Sequence, residues 1–461
     1  MTTTRTLLDE AIYQKYIVPT EREAGRWVGP EFEFPVISLH KCPVSIPGLQ
    51  EVVKAFAVRF GFSRIKRDDN GDIYSLADPV TGDDLSFDCS FNTLELSFGK
   101  ERSIVVLDGR FRQYYAFLQK ALRRRGMMLT GMGANPYHRY NTYAPIANDR
   151  YRMLAKYLRS YREYGMPNAH DIPEFSMICA ASQVQLDVAR DDIIETINTF
   201  GRLEPVKALL FANSLFDRLP DLLISRDYLW RYSMQGYDPH NLDMYAMDLH
   251  DLDEYIAYVR SQSMYCVEKD GVYLHFKPIV LEDYVQREAV EGTYFDGETW
   301  RTHVFTPGIE DIAHLRTFKF EDLTYRGTIE FRSACEQPVS EVFCHAAFHA
   351  GLAERTDELA ALLEADTALY GHGFTPAELR EIFTYRELPY FVDRRAVSDL
   401  LTRVVALAEE GLHDRGMGEE RYLAPLYDRA ARLTNPAREM AAGLARGDAV
   451  EDWIERYAAL D

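Results

Sequence analysis

Four short stretches of the chain alternate acid or amide residues with apolar ones, and this alternation restricts the fold more than any other feature. In 29–34 (GPEFEF), Glu31 and Glu33 sit at every second position, with Phe32, Phe34 and then Val36 between and beyond them. Successive side chains of an extended strand point to opposite faces, so the two carboxylates share one face and the aromatic rings share the other. The pattern returns in 93–98 (TLELSF), 183–188 (QVQLDV) and 328–333 (TIEFRS). Placed in one sheet, these strands give a polar face carrying Glu31, Glu33, Glu95, Gln183, Gln185, Glu330 and Arg332, and an apolar face that packs on helices.

Such a polar face points to metal. Carboxylates gathered on a partly dehydrated floor repel, and some are driven to the protonated form unless cations hold them. Hard oxygen ligands in this number suit Mg²⁺ or Mn²⁺, which bridge protein carboxylates to substrate phosphates. Arg332 on the same face would meet a phosphoryl oxygen. The plain alternative is an antiparallel sheet with one solvated face. Any single stretch favours that alternative, and the recurrence in four favours the metal site.

The charge balance narrows the ligand class. With 52 Lys and Arg against 72 Asp and Glu, the net charge is −20, which argues against a general binder of nucleic acid or anionic membrane. An anionic substrate must then be met by local arginine or by metal. The chain has 461 residues, 47% of them hydrophobic, enough for one large domain or two moderate ones. Six cysteines are scattered with no CxxC pair, which indicates neither a zinc ribbon nor a disulfide framework. Residues 1–23 are polar and mixed in charge, and no apolar run approaches the ~20 residues of a membrane span. The expectation is a cytoplasmic enzyme with small-molecule substrates and no nucleic-acid or membrane partner. Its oligomeric state is not written in the sequence.

Along the chain, 5–22 reads as a short helix and 49–60 as an amphipathic helix after Pro47-Gly48. The segments 63–67 and 72–76 read as a hairpin whose Asn70-Gly71 fills a type I′ turn. In 85–88 the apolar positions are odd, whereas from Leu94 onward they are even, so a turn or bulge at 90–92 must shift the parity. That shift brings Asp88 and Glu95 to one side and adds Asp88 to the candidate ligands. Helices follow over 103–125, from Asp149, and from Asp191 toward Phe211 with a kink or break at Pro205. Residues 218–326 mix turns, a helix at 251–260 and strands at 264–267 and 273–276. Residues 338–461 read as nearly all helix. The expected organisation is therefore an α+β core over 1–337 and a helical region, 338–461, packed on it.

Other chemistries have little support. Gly131-Met132-Gly133-Ala134 lacks both the spacing and the lysine of a phosphate loop. His345 and His349 lie four apart on a predicted helix but have no glutamate placed as in HExxH, so helix surface or core is the expected setting.

Together these segments resemble the glutamate-cysteine ligase family, carboxylate-amine ligases related to glutamine synthetase. The 29–34 stretch resembles the family's G-x-E-x-E strand, and 88–96 (DCSFNTLEL) resembles its D-x6-E-L segment. The run 175–192 (FSMICAASQVQLDVARDD), followed by 211–216 (FANSLF), resembles the T-x-x-Q-V-N-L-D and A-N-S-P-F segments of plant and actinobacterial members. The stretch 329–333 (IEFRS) resembles the E-x-R strand, and order and spacing agree over about 25–340. The resemblance implies an α+β fold with an antiparallel sheet curved into a cup and helices outside, ATP and Mg²⁺ (or Mn²⁺) as cofactors, and L-glutamate as donor.

Carried onto this chain, Glu31, Glu33, Glu95, Gln183 and Glu330 match metal-ligand positions, and Asp88 matches an accessory one. Arg332, with Glu330, matches the catalytic strand, its guanidinium near the transferred phosphate. Arg150 in DRYRM resembles an arginine holding a substrate carboxylate or phosphate, with an exposed helix arginine as the equal alternative. Gln185 stands where asparagine is usual, and Met264-Tyr265 resembles a P-M-Y segment lining the acceptor pocket, with Ser263 replacing the proline. A plain buried strand remains open there.

The resemblance implies formation of a γ-glutamyl phosphate from ATP, followed by attack of an amine, with L-cysteine the expected acceptor. The family's D-x-x-R-x-G segment has no arginine in the corresponding run, 236–243, so another small L-amino acid in specialised metabolism stays open as acceptor. A non-catalytic nucleotide-binding regulator on the same scaffold is the reading from a different class.

Overall fold

The computed structural model describes residues 4–461 and is a mixed helix and antiparallel-sheet fold. Its strands are β1 (Val28–Ser38), β2 (Arg64–Arg67), β3 (Ile73–Ala77), β4 (Asp84–Phe87), β5 (Thr93–Ser97), β6 (Met127–Leu129), β7 (Ser182–Asp187), β8 (Leu242–Asp243), β9 (Ser263–Lys269), β10 (Val272–Val280), β11 (Val290–Phe295), β12 (Trp300–Phe305), β13 (Phe318–Lys319), β14 (Glu321–Leu323) and β15 (Thr328–Phe331). Nine of them form one sheet in the order β14-β15-β7-β1-β5-β4-β3-β2, with β6 added to the far end of β1. A second sheet runs β12-β11-β10-β9, and β8 and β13 make a short parallel pair.

The four alternating stretches are adjacent in the large sheet, as the strand order β15-β7-β1-β5 requires. Phe32 and Phe34 are fully buried beneath it, whereas Glu31 and Glu33 on the opposite face are half-buried. The ring of Phe32 meets Phe98, Phe111 and Phe343 with centroids 6.1, 5.5 and 5.0 Å away. These edge-on contacts tie β1 to helix Ile104–Arg123 and to the start of helix Cys344–Ala353. One apolar core continues from Leu8 through the sheet to Ala437, so the C-terminal helices pack on the underside of the same sheet.

Local signals explain most boundaries. Helix Ile46–Phe60 starts where Ser45 accepts from Gly48 N and ends at Gly61, whose φ of 81° suits a residue without a Cβ. The parity change at 88–92 is a turn: β4 and β5 are antiparallel neighbours with Phe87 opposite Leu94. The β2–β3 connection differs from the expected type I′ turn. Only Gly71 has a positive φ there, while Asp68 Oδ1 accepts from the amides of Asn70 and Asp72 and widens the loop. Nor does Pro205 break its helix, which runs uninterrupted from Ile193 to Phe211 within buried surroundings.

Two weak motifs are settled by packing. A Cβ at Gly131 would lie 2.3 Å from the Gln337 carbonyl oxygen, so that glycine permits close chain approach. His345 and His349 are wholly buried against Phe200, Phe211, Phe331 and Phe348, and they belong to the core.

Candidate active site

Register turns strand parity into a cluster. Across β1, Glu33 stands opposite Glu95 on one side and Glu31 opposite Gln183 on the other, while Gln185 stands opposite Glu330. Directly opposed side chains on one face of a sheet lie within contact of each other, and like charges there destabilise. The amides of β7 interleave with these acids. Gln183 Nε2 donates to Glu33 Oε1 at 2.9 Å, and Gln185 Nε2 donates to Glu31 Oε1 at 2.8 Å and Glu330 Oε1 at 3.3 Å. Ala181 N adds a bond to Glu33 Oε2 at 2.7 Å, and the Ser97 hydroxyl donates to Glu95.

These bonds favour the ionised acids but do not offset burial and crowding. Burial, with Glu330 beside it, pushes Glu31 up to about 7; burial, with Asp88 beside it, pushes Glu33 up to about 8. Glu95 is raised well above the ordinary carboxyl range by burial and by Glu31, Glu33 and Asp88. Burial also raises Asp88, with Arg150 opposing. Among the described residues no group of three or more His, Cys, Asp and Glu is already drawn close enough to hold a metal ion.

Arg332 is the cation of this face. Its Nε lies 3.5 Å from Glu330 Oε2, its Nη1 donates to the Thr317 carbonyl at 3.2 Å, and its Nη2 donates to Gln183 Oε1 at 3.3 Å. A guanidinium held on three sides offers a fixed positive charge, which a flexible lysine would not reproduce.

A cavity of about 1070 Å³ is lined by Glu31, Glu33, Asp88, Glu95, Gln183, Glu330 and Arg332, and by Arg150 and Tyr151 of helix Asp149–Leu158. Asn148 caps that helix by accepting from Tyr151 N at 2.9 Å, which fixes Arg150 at its first turn. Tyr265 reaches the cavity from β9, backed by Tyr157 stacked at 4.3 Å. Met264 does not: it is fully buried in the main apolar core, because adjacent residues of a strand face opposite ways. Gln185 is also absent from the cavity wall. Its amide is occupied by Glu31, Glu330, Arg326 and Thr328, which leaves no free edge for a substrate.

Several cavity residues escape the alternation argument. Arg226, Asp227, Arg316, Asp322 and Arg326 all line it, as does Lys15 from the N-terminal segment. Arg326 donates to Gln185 Oε1 at 3.1 Å and, with Arg332, lowers Glu31 against its other perturbers. Arg226 does the same for Glu33. Arg226, Asp227, Arg316 and Arg326 sit in turns, loops and at a helix start, and Asp322 and Lys15 in a three-residue strand and a five-residue helical segment, all too short for a period to mark a face. A signal was present only for Arg326, in the Tyr-Arg-Gly turn directly before β15.

The sequence profile of a family described as glutamate-cysteine ligase family 2 (GCS2) matches residues 27–456. Among solved structures, a bifunctional glutathione synthetase from Pasteurella multocida is similar over 98% of this chain and 53% of its own, at 12% identity and a TM-score of 0.44. The chain thus spans about half the length of that protein. A glutamate-cysteine ligase from Francisella tularensis, in complex with AMP, is similar over 94% of this chain and 97% of its own, at 11% identity and a TM-score of 0.44. No curated protein matches by sequence. Among the described residues no helix is long and apolar enough to cross a membrane.

Proposed function

The chain belongs to glutamate-cysteine ligase family 2, and on that premise we propose that it is an ATP-dependent carboxylate-amine ligase. It activates the γ-carboxylate of L-glutamate as an acyl phosphate and joins it to the amine of a small amino acid, with L-cysteine the first acceptor to test. The observation that carries this reading is the row of half-buried carboxylates, Glu31, Glu33 and Glu95, raised by burial and mutual repulsion beside Arg332.

Such a donor set fits divalent cations. Glu31, Glu33, Asp88, Glu95, Gln183 and Glu330 would hold Mg²⁺ or Mn²⁺, all hard oxygen donors around a cavity with a surplus of negative charge. Bound there, the cations supply neutralisation of the charge spread over the triphosphate. Gln185 keeps Glu31 and Glu330 turned toward one another through its Nε2. Arg332 stabilises negative charge developing on the phosphoryl oxygens, and Arg150, resting over Tyr151 and facing Asp88, receives a substrate carboxylate or phosphate. Tyr265, Trp230 and Phe318 line the cavity with apolar surface, which limits water that would hydrolyse an acyl phosphate. We read the large sheet as the floor of a curved cup within a catalytic core, 1–337, and the helices of 338–461 as the buttress beneath it.

A different small L-amino acid as acceptor is the second reading. It is favoured by the run 236–243, where Asp238 and Asp243 are turned to Ser263 and Arg231 and no arginine is present. ADP release measured with glutamate plus cysteine, against glutamate plus a panel of other amino acids, separates the two. Absence of amine-dependent ADP release with every acceptor would refute the ligase and leave a non-catalytic nucleotide-binding regulator.

A further inference from the structure

Arg226 and Asp227, consecutive residues of helix Ser225–Arg231, both line the cavity. Asp227 is only 2% exposed. Its Oδ2 accepts from Arg380 Nε at 2.9 Å, whereas its Oδ1 has no partner among the described residues. Arg380 has no reach to spare for that oxygen, being committed to Glu204 Oε2 at 2.5 Å and the Ser333 carbonyl at 3.0 Å. A carboxylate accepts up to about four hydrogen bonds, so half of this buried group awaits a donor. The adjoining Arg226 guanidinium lines the same cavity and favours the ionised form of Glu33. On the same lining, Gln235 Oε1 also lacks a partner.

A buried carboxylate with a free oxygen beside a cavity-lining guanidinium matches the head group of an α-amino acid. We propose that Asp227 Oδ1 is the receptor for the α-ammonium of an amino-acid substrate, with Gln235 Oε1 as a second acceptor and Arg226 facing the α-carboxylate. Arg380 is then a positioning residue: it reaches in from helix Pro376–Phe383 and holds Asp227 while binding the residue next to Arg332. This gives the C-terminal helices a direct part in substrate recognition. The proposal rests on the ligase reading only for the identity of its ligands.

The test is binding of L-glutamate and L-cysteine, each against its des-amino analogue, glutarate and 3-mercaptopropionate, to the full chain with Mg²⁺ and a non-hydrolysable ATP analogue. A site built around an ammonium rejects the analogue lacking it by ~100-fold or more. The wild type is expected to show that preference in one pair, and the pair showing it tells donor from acceptor. D227N is expected to reduce the preference to within about threefold while leaving nucleotide affinity unchanged, and R380K to reduce it partway. Full preference retained in D227N overturns the proposal. Should D227N not fold, full preference retained in R380K overturns it, as does a wild type that fails to discriminate either pair. Absence of amine-dependent ADP release would end the ligase reading alone, since the binding comparison needs no turnover.

Discussion

Divalent-cation affinity should depend steeply on pH in a range where ordinary carboxylates are silent. Cations bind the ionised carboxylate, and burial has moved Glu31 to about 7 and Glu33 to about 8. At pH 8.5 the chance that both are ionised is about 0.7, while at pH 6.5 it is about 0.007. Affinity for Mn²⁺ should therefore fall roughly 100-fold from pH 8.5 to 6.5, and the upward shift of Glu95 makes that a lower bound. Carboxyls titrating near their unperturbed values would change it by less than about twofold. Isothermal titration calorimetry in two buffers of different ionisation enthalpy reads both the affinity and the protons released. The expected release at pH 7 exceeds one proton per site filled. Affinity varying by less than about threefold, with no proton release, would refute the reasoning.

Stability of the ion-free protein carries the opposite sign. Glu31 and Glu33 bind protons more tightly when folded, so their contribution is full below the unfolded value and is lost as pH rises through about 7 and 8. In chelator the Tm should drop between pH 6 and 8.5 and recover when Mg²⁺ and ATP are added, as differential scanning fluorimetry would show. Arg332→Lys should lower kcat by ~100-fold with little change in Tm, because an ammonium cannot serve Glu330, Gln183 and the Thr317 carbonyl together. Near-normal turnover in that variant, or in Glu330→Ala, would contradict the assignment. Gln185→Leu should weaken metal affinity about 10-fold by releasing Glu31 and Glu330, measurable by the same titration. Phe32→Ala, which empties a fully buried site among three rings, should destabilise by about 3–5 kcal/mol in urea unfolding.

What the sequence made legible was set by period. Two-residue alternation marks a face wherever a strand is buried on one side only, and the strands bearing Glu31, Glu95, Gln183 and Glu330 are indeed neighbours. The parity change between Leu85 and Leu94 was readable for the same reason, and it places Asp88 and Glu95 on one cavity. The rest lacked a period. Arg226 and Asp227 stand at the start of a seven-residue helix, and Arg316 and Lys15 come from segments whose only link to the site is tertiary packing. Met264 was misread because resemblance was applied to two adjacent strand residues, which cannot share a face. Gln185 was legible as part of the polar face, but its four hydrogen-bond partners come from two other strands and a turn.

The central claim is that residues far apart in the chain, brought to one face by strand parity, hold divalent cations against a triphosphate. Anomalous diffraction from crystals grown with Mn²⁺ and an ATP analogue tests it most directly. The account predicts manganese peaks within coordination distance of carboxylates from both β1 and β15, Glu31 and Glu330 among them, with Arg332 against the terminal phosphate. Manganese bound elsewhere, with Glu31, Glu95 and Glu330 left without a metal, would contradict it.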